Sequence, residues 1–181
     1  LDVIGDLASE FDNDLSKLDV VFEYPQNAGK IRDLSKRFGS KHNEILSAVD
    51  NIDEVENLAN RFEGDASKIE TLFDNVDRVV DIKTLADKFD DAAASGVEVK
   101  PEDVLDNLEH LDDVLALDQK FDGEDGKLMN LYLNPEKAGS LKGLIDRYDQ
   151  QAEDLIFNLD ALDSIEALEQ QVDGDSAQMA I

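Results

Sequence analysis

Displaced by 110 positions, the chain lies along itself without a gap: residues 1–71 fall on 111–181, and 18 of the 71 pairs are identical. Leu7 and Phe11 meet Leu117 and Phe121, and Pro25, Ala28 and Gly29 meet Pro135, Ala138 and Gly139. Leu34, Arg37 and Phe38 meet Leu144, Arg147 and Tyr148, and Gly64 and Asp65 meet Gly174 and Asp175. So many coincidences without an insertion exceed chance even in an Asp-rich sequence. Self-similarity at fixed spacing restricts a chain to architectures made of stacked, similar units.

Within the long unit runs a shorter one, marked L-x-x-x-F. It recurs as Leu7/Phe11, Leu34/Phe38, Leu58/Phe62, Leu85/Phe89, Leu117/Phe121, Leu144/Tyr148 and Leu168/Val172. From one motif to the next the last position advances by 27, 24, 27, 32, 27 and 24, and the first four steps together make up the long unit. The step of 32 contains DDAAASGVEVKPED, the longest departure from the pattern. The expected organisation is a first block of repeats over 1–89, a linker over 90–104 and a second block over 105–181. The pattern runs to both ends, so the chain is expected to be part of a longer array.

Residues 105–121 carry an apolar side chain at every third position: Leu105, Leu108, Leu111, Val114 and Leu117, with Phe121 beyond. On one straight α-helix such a row drifts through about 240° and cannot be buried on one face. A break at Asp-Asn restores order. Ile69, Leu72, Phe73 and Val76 then share about 100° of helix surface, as do Ile52, Val55, Leu58, Ala59 and Phe62. Asp50-x-x-Asp53, Asp74-x-x-Asp77 and Asp106-x-x-Glu109 resemble capping boxes for a new helix at each break. A partly 3₁₀ segment would also turn the triplet row to one face. After Phe62, after Phe121 and at Val172, a Gly (EGD, DGED, VDGD) suits a left-handed helix terminus, and Asp65 or Asp175 can cap the helix that follows.

Two short helices in each short unit define an all-α chain and, by stacking, an α-solenoid. Helices of about 7–14 residues and almost no sheet are expected. Equivalent positions in successive long units should share an environment: Phe11 with Phe121, Leu58 with Leu168. The terminal units should leave open stripes at Leu1, Ile4 and Leu7 and at Leu168, Val172 and Met179. The loops around Pro25 and Pro135 read as turns that set the entry of the next helix.

Composition narrows function. With 44 acidic residues against 17 basic, the chain carries −27, which opposes binding to nucleic acid or to an anionic membrane. The lack of cysteine removes disulfides, thiolate metal sites and cysteine nucleophiles. The histidines, His42 and His110, stand in different registers, and no phosphate-binding glycine loop or zinc-protease motif occurs. No enzyme is expected.

Acidic turns supply the candidate Ca²⁺ ligands Asp12, Asp14, Glu63, Asp65, Asp122, Glu124, Asp125, Asp173 and Asp175, since paired carboxylates in Gly- or Asn-rich turns suit a hard cation. Asp12, Asp14, Ser16 and Glu23 mimic part of an EF-hand spacing, but Lys17 holds the position that needs Gly. Helix capping with a solvated rim explains the same residues. One segment, KIRDLSKRFGSK, concentrates Lys30, Arg32, Lys36, Arg37 and Lys41 against Asp33, a local +4; it reads as a solvated helix face or as a candidate docking patch for an acidic face of another copy.

Repeat length and composition resemble, as a class only, the repetitive regions of very large microbial surface or fibre proteins, and no motif names one family. The expected function is structural: a segment of an extracellular fibre, stalk or surface assembly, with other copies or neighbouring repeats as partners and no cofactor beyond Ca²⁺. A protein-binding solenoid adaptor and a Ca²⁺-dependent adhesin-type repeat region are the alternatives.

Overall fold

A computed structural model describes residues 2–121, 125–148 and 153–173, and these are helices and turns with no strand among them. The chain divides into two compact units, residues 1–86 and 87–181. In the first lie α1 (Asp2–Glu10), α2 (Leu15–Glu23), α3 (Ala28–Arg37), α4 (His42–Ser47), α5 (Ile52–Arg61) and α6 (Ala66–Asp74). Helix α7 (Val79–Ala94) carries the division between the units, and α8 (Leu111–Lys120), α9 (Asp125–Leu133), α10 (Ala138–Tyr148) and α11 (Leu162–Asp173) follow in the second. Helix α4 has six residues and α7 sixteen, outside the range expected from the repeat length. Of the segment read as a linker, residues 90–94 continue α7 and residues 101–104 belong to a 3₁₀ turn, with Ala92, Val99 and Val104 buried.

In the first unit α1 packs on α3 and α3 on α5, while α2 packs on α4 and α4 on α6. Helix α3 also meets α4, and α5 meets α6. In the second unit α8 packs on α9 and α10, and α10 on α11. The L-x-x-x-F residues provide the interior. Leu7, Phe11, Leu34, Leu58, Phe62, Leu85, Phe89, Leu117, Phe121 and Leu144 are all buried. Lysines cover two equivalent rings from outside: Lys17 Nζ lies 5.8 Å from the Phe11 centroid and Lys127 Nζ 4.7 Å from that of Phe121.

The triplet row has a mixed solution. Residues Pro101–Asp106 and Leu108–His110 are 3₁₀, where side chains three apart eclipse, and α8 begins at Leu111. Leu105, Leu111, Val114, Leu117 and Phe121 thereby reach one interior. Similar 3₁₀ turns precede α5, α7 and α11 at Val49–Asn51, Val76–Arg78 and Leu159–Ala161. Break and 3₁₀ segment, read from the sequence as alternatives, occur together.

The capping boxes expected at Asp50, Asp74 and Asp106 are not what opens these turns. Their N-cap residues, Ala48, Asn75 and Asn107, make no side-chain capping bond. The asparagine works backwards instead. Asn75 Nδ2 donates to the Thr71 carbonyl and Asn107 Nδ2 to that of Asp103, each at 2.9 Å, closing the turn behind them. Asn is free to do this because its amide donates where a carboxylate only accepts.

The other break follows the sequence reading. Gly64 has φ +100°, and Asp65 accepts from the backbone N–H of Ser67 and Lys68 at 3.0 and 3.1 Å. After Phe11 there is no Gly, and Asp12 and Asn13 take the left-handed conformation themselves, with φ +52° and +59°. Asp14 then caps α2 through Ser16 N at 3.0 Å. The 3₁₀ turns Pro25–Asn27 and Pro135–Lys137 hold the same place in successive long units and lead into α3 and α10.

Equivalence between the long units holds for Phe11 and Phe121, both buried, and fails for the second pair. Leu58 is fully buried, whereas Leu168 is 60% exposed. The expected open stripe at the start of the chain is also corrected at Leu7, which is buried; Leu15 and Phe22 on α2 are the large apolar side chains exposed there. Leu1, the side chain of Val172, and Met179 lie outside the described residues.

Candidate functional site

The basic segment is the strongest local departure from the acidity of the chain, and α3 displays it between two acidic helices. Towards α1, Lys36 Nζ lies 2.7 Å from Asp6 Oδ2. Towards α5, Lys30 Nζ bonds Asp53 and lies 3.9 Å from Glu56. On the same side Arg37 donates to Asn60 Oδ1 at 2.7 Å and stands 3.5 Å from Glu63. Lys41, just past α3, donates to Asp74 at 2.6 Å, and Arg32 pairs with its neighbour Asp33 at 2.7 Å. Four of the five cations meet acids on other segments of their own chain, and Arg32 pairs within α3. Exposed pairs of this kind contribute about 0–1 kcal/mol each, so their chief effect is to fix which helix lies beside which.

The second unit repeats the scheme with other residues. Lys137 Nζ reaches both oxygens of Asp163 at 2.7 and 2.9 Å, and Lys142 lies 3.8 Å from Asp113 on α8. Asp163 is the counterpart of Asp53, but Lys137 is not the counterpart of Lys30.

These contacts move proton affinities. The hydrogen bond from Lys36, with its charge, holds the Asp6 carboxyl below the ordinary value of 3.8. The hydrogen bonds of Asp74 and Asp163 hold Lys41 and Lys137 above the ordinary lysine value of 10.5. Because the folded pKa of Asp6 is depressed, its contribution to stability is present above 3.8 and is lost as pH falls through the lower folded value. Replacing Lys36 by Met is expected to return the Asp6 titration to the ordinary carboxylate range, read by carboxyl NMR. An unchanged Asp6 midpoint would show that the pair does not form in solution.

Of the candidate Ca²⁺ ligands, Asp14 and Asp65 use their carboxylates as helix caps and Glu63 faces Arg37. Among the described residues no group of three or more His, Asp or Glu side chains converges as a metal site would require. Asp122, Glu124 and Asp175, and the side chains of Asp125 and Asp173, lie outside the described residues. His42 rests edge-on against Phe11, centroids 5.1 Å apart, and His110 lies 3.4 Å from Glu109.

The sequence reading missed one polar cluster, in the second unit. Asp118 on α8 is buried; Tyr132 Oη on α9 donates to its Oδ1, and Lys88 Nζ on α7 lies 3.3 Å from Oδ2. Tyr132 also tilts against Phe89, centroids 5.3 Å apart. A cavity of about 240 Å³ opens beside Tyr132, lined by Lys88, Asp91, Ser95, Leu128 and Met129 among others. Both oxygens of Asp118 have partners, so the cluster ties three helices together. A signal was available: the residue after the Leu of L-x-x-x-F is Ala8, Ser35, Ala59, Ala86 or Ile145 in five of the other motifs, and an acid only at Asp118 and Glu169.

No described helix is long and apolar enough to cross a membrane. Compared with known proteins, the chain matches no family model, no curated protein and no solved structure.

Proposed function

We propose that this chain is a structural repeat segment: an α-solenoid belonging to an extracellular fibre, stalk or surface assembly, with no catalytic activity. The supporting observation is the alternation of contacts, α1 on α3 on α5 in one row and α2 on α4 on α6 in the other. Helix pairs that recur in sequence and meet their counterparts in neighbouring pairs are the units of a solenoid, in which each repeat is stable only through its neighbours. The buried L-x-x-x-F positions and the cations of α3, shared between the helices on either side, are the apolar and polar parts of that dependence. The charge of −27 suits a highly solvated element in an ion-rich medium.

Stability then depends on the number of repeats. Inserting one further copy of residues 1–110 in register is expected to raise Tm by several degrees in a single transition, because each added unit adds an interface. Melting at the same temperature as the parent would mark the units as independent domains and overturn the reading.

A further inference from the structure

The cavity beside Tyr132 lies within the second unit, between α7 and α9. Lys88, Asp91, Ala92 and Ser95 follow helical spacing, so α7 and the residue after it present them on one face. Leu128, Met129 and Tyr132 on α9 form the opposite wall. Ala92, Leu128 and Tyr132 are buried, whereas Asp91 and Ser95 are exposed at the mouth. One wall therefore carries a cation, an anion and a hydroxyl in succession, and the other is largely apolar.

Repetition alone does not demand this arrangement. Counted from the motif aromatics, Arg37, Lys41 and Glu70 hold in the first unit the positions of Lys88, Ala92 and Met129. There all three line a groove rimmed by charge, and Lys41 is engaged with Asp74 at 2.6 Å. In the second unit Ala92 and Met129 replace two of the charges and leave room against hydrocarbon. Asp118 and the Tyr132 hydroxyl enter together the columns that Ala59 and Phe73 hold in the first unit. Asp118 Oδ2, 3.3 Å from Lys88 Nζ, fixes the ammonium at one end of the cavity. An ammonium has three donors, so Lys88 keeps some for a ligand.

Each feature restricts the occupant. A volume of about 240 Å³ is the share of about eight water molecules, enough for a small molecule only. Asp91 makes no ion pair among the described residues, and α7 ends at Ala94, where the negative end of its dipole also favours a cation. One turn earlier Lys88 favours an anion. The charge of −27 repels a lone anion and Lys88 repels a lone cation, whereas a zwitterion satisfies both ends.

We propose that this cavity binds a free α-amino acid with an apolar side chain. Lys88 takes its carboxylate, Asp91 and Ser95 its ammonium, and the wall of Ala92, Leu128 and Met129 its side chain. The site lies wholly within one unit and does not depend on the solenoid reading.

Titration of the full chain with L-leucine and with L-methionine tests this, followed by amide NMR shifts at Lys88, Ser95, Leu128 and Tyr132. Both amino acids are expected to shift these resonances saturably. Three probes each lack one part of leucine: glycine the side chain, isopentylamine the carboxylate and isocaproate the ammonium. Each is expected to bind about tenfold more weakly or worse, the scale of one lost charge-assisted hydrogen bond or a lost apolar contact. Asp91→Asn, at an exposed position, is expected to melt like the wild type and to lose about tenfold or more in affinity for leucine. Isopentylamine binding as tightly as leucine removes Lys88 from the site and overturns the proposal, and equal binding of isocaproate does the same through Asp91. Unchanged affinity in Asp91→Asn also overturns it. No saturable shift with either amino acid reduces the cavity to a packing gap.

Discussion

Phe121→Ala is expected to cost about 3–5 kcal/mol and Leu58→Ala about 2–5 kcal/mol, while Leu168→Ala stays within about 0.5 kcal/mol of the wild type. Phe121 and Leu58 are both buried, and removing their side chains leaves cavities among neighbours that can only partly relax. Leu168 has the same residue type and the same place in the repeat as Leu58, yet it is exposed, so truncation there opens nothing. The comparison isolates burial from chemistry. Urea unfolding followed by circular dichroism measures all three. A Phe121→Ala protein with near-wild-type stability would mean that the L-x-x-x-F stripe is not the interior. Equal losses at Leu58 and Leu168 would mean that the end of the second unit is covered in solution.

Tyr132→Phe is expected to destabilise by about 1–3 kcal/mol, although the ring that packs on Phe89 is kept. The loss arises at Asp118, whose buried Oδ1 no longer receives the phenol proton. Asp118→Ala in the Tyr132→Phe background should recover much of it, since Ala already holds this column as Ala59 and Ala86, both buried. A double-mutant cycle over the two positions should therefore show coupling of about 0.5–3 kcal/mol. Strict additivity would show that the two side chains act independently and that their hydrogen bond contributes nothing.

The repeat, the helical class and the interior were legible because all three depend on where Leu and Phe recur, and a period survives in sequence without knowledge of neighbours. The turn after Phe62 was legible too, from Gly64 and Asp65, because its chemistry lies within a few residues. The Asp-Asn turns were misread. A capping box needs only its spacing to be suspected, and nothing local reveals that Asn75 and Asn107 donate backwards. The basic segment was visible as charge but not as contact, since the partners that meet it from other helices are distant in the chain. The failure at Leu168 has the same origin: a letter in a repeat says where a side chain points, and burial also requires something opposite.

The pairs that span helices have a consequence for how such repeats diverge. Asp53 and Asp163 keep their place from one long unit to the next, while the lysine that meets them comes from position 30 in one copy and from 137 in the other. A long, flexible lysine can reach the same carboxylate from either of two nearby backbone sites, so a cation can be lost at one site once it has been gained at the other. At this pair the anion behaves as the anchor and the cation as a substitutable tether. Repeats aligned by Lys30 and Lys137 would slip by three positions, whereas alignment by Leu, Phe, these aspartates and the pair Lys17 and Lys127 holds. Mutational drift can accordingly move the cation of such a pair while the helices it joins stay where they are.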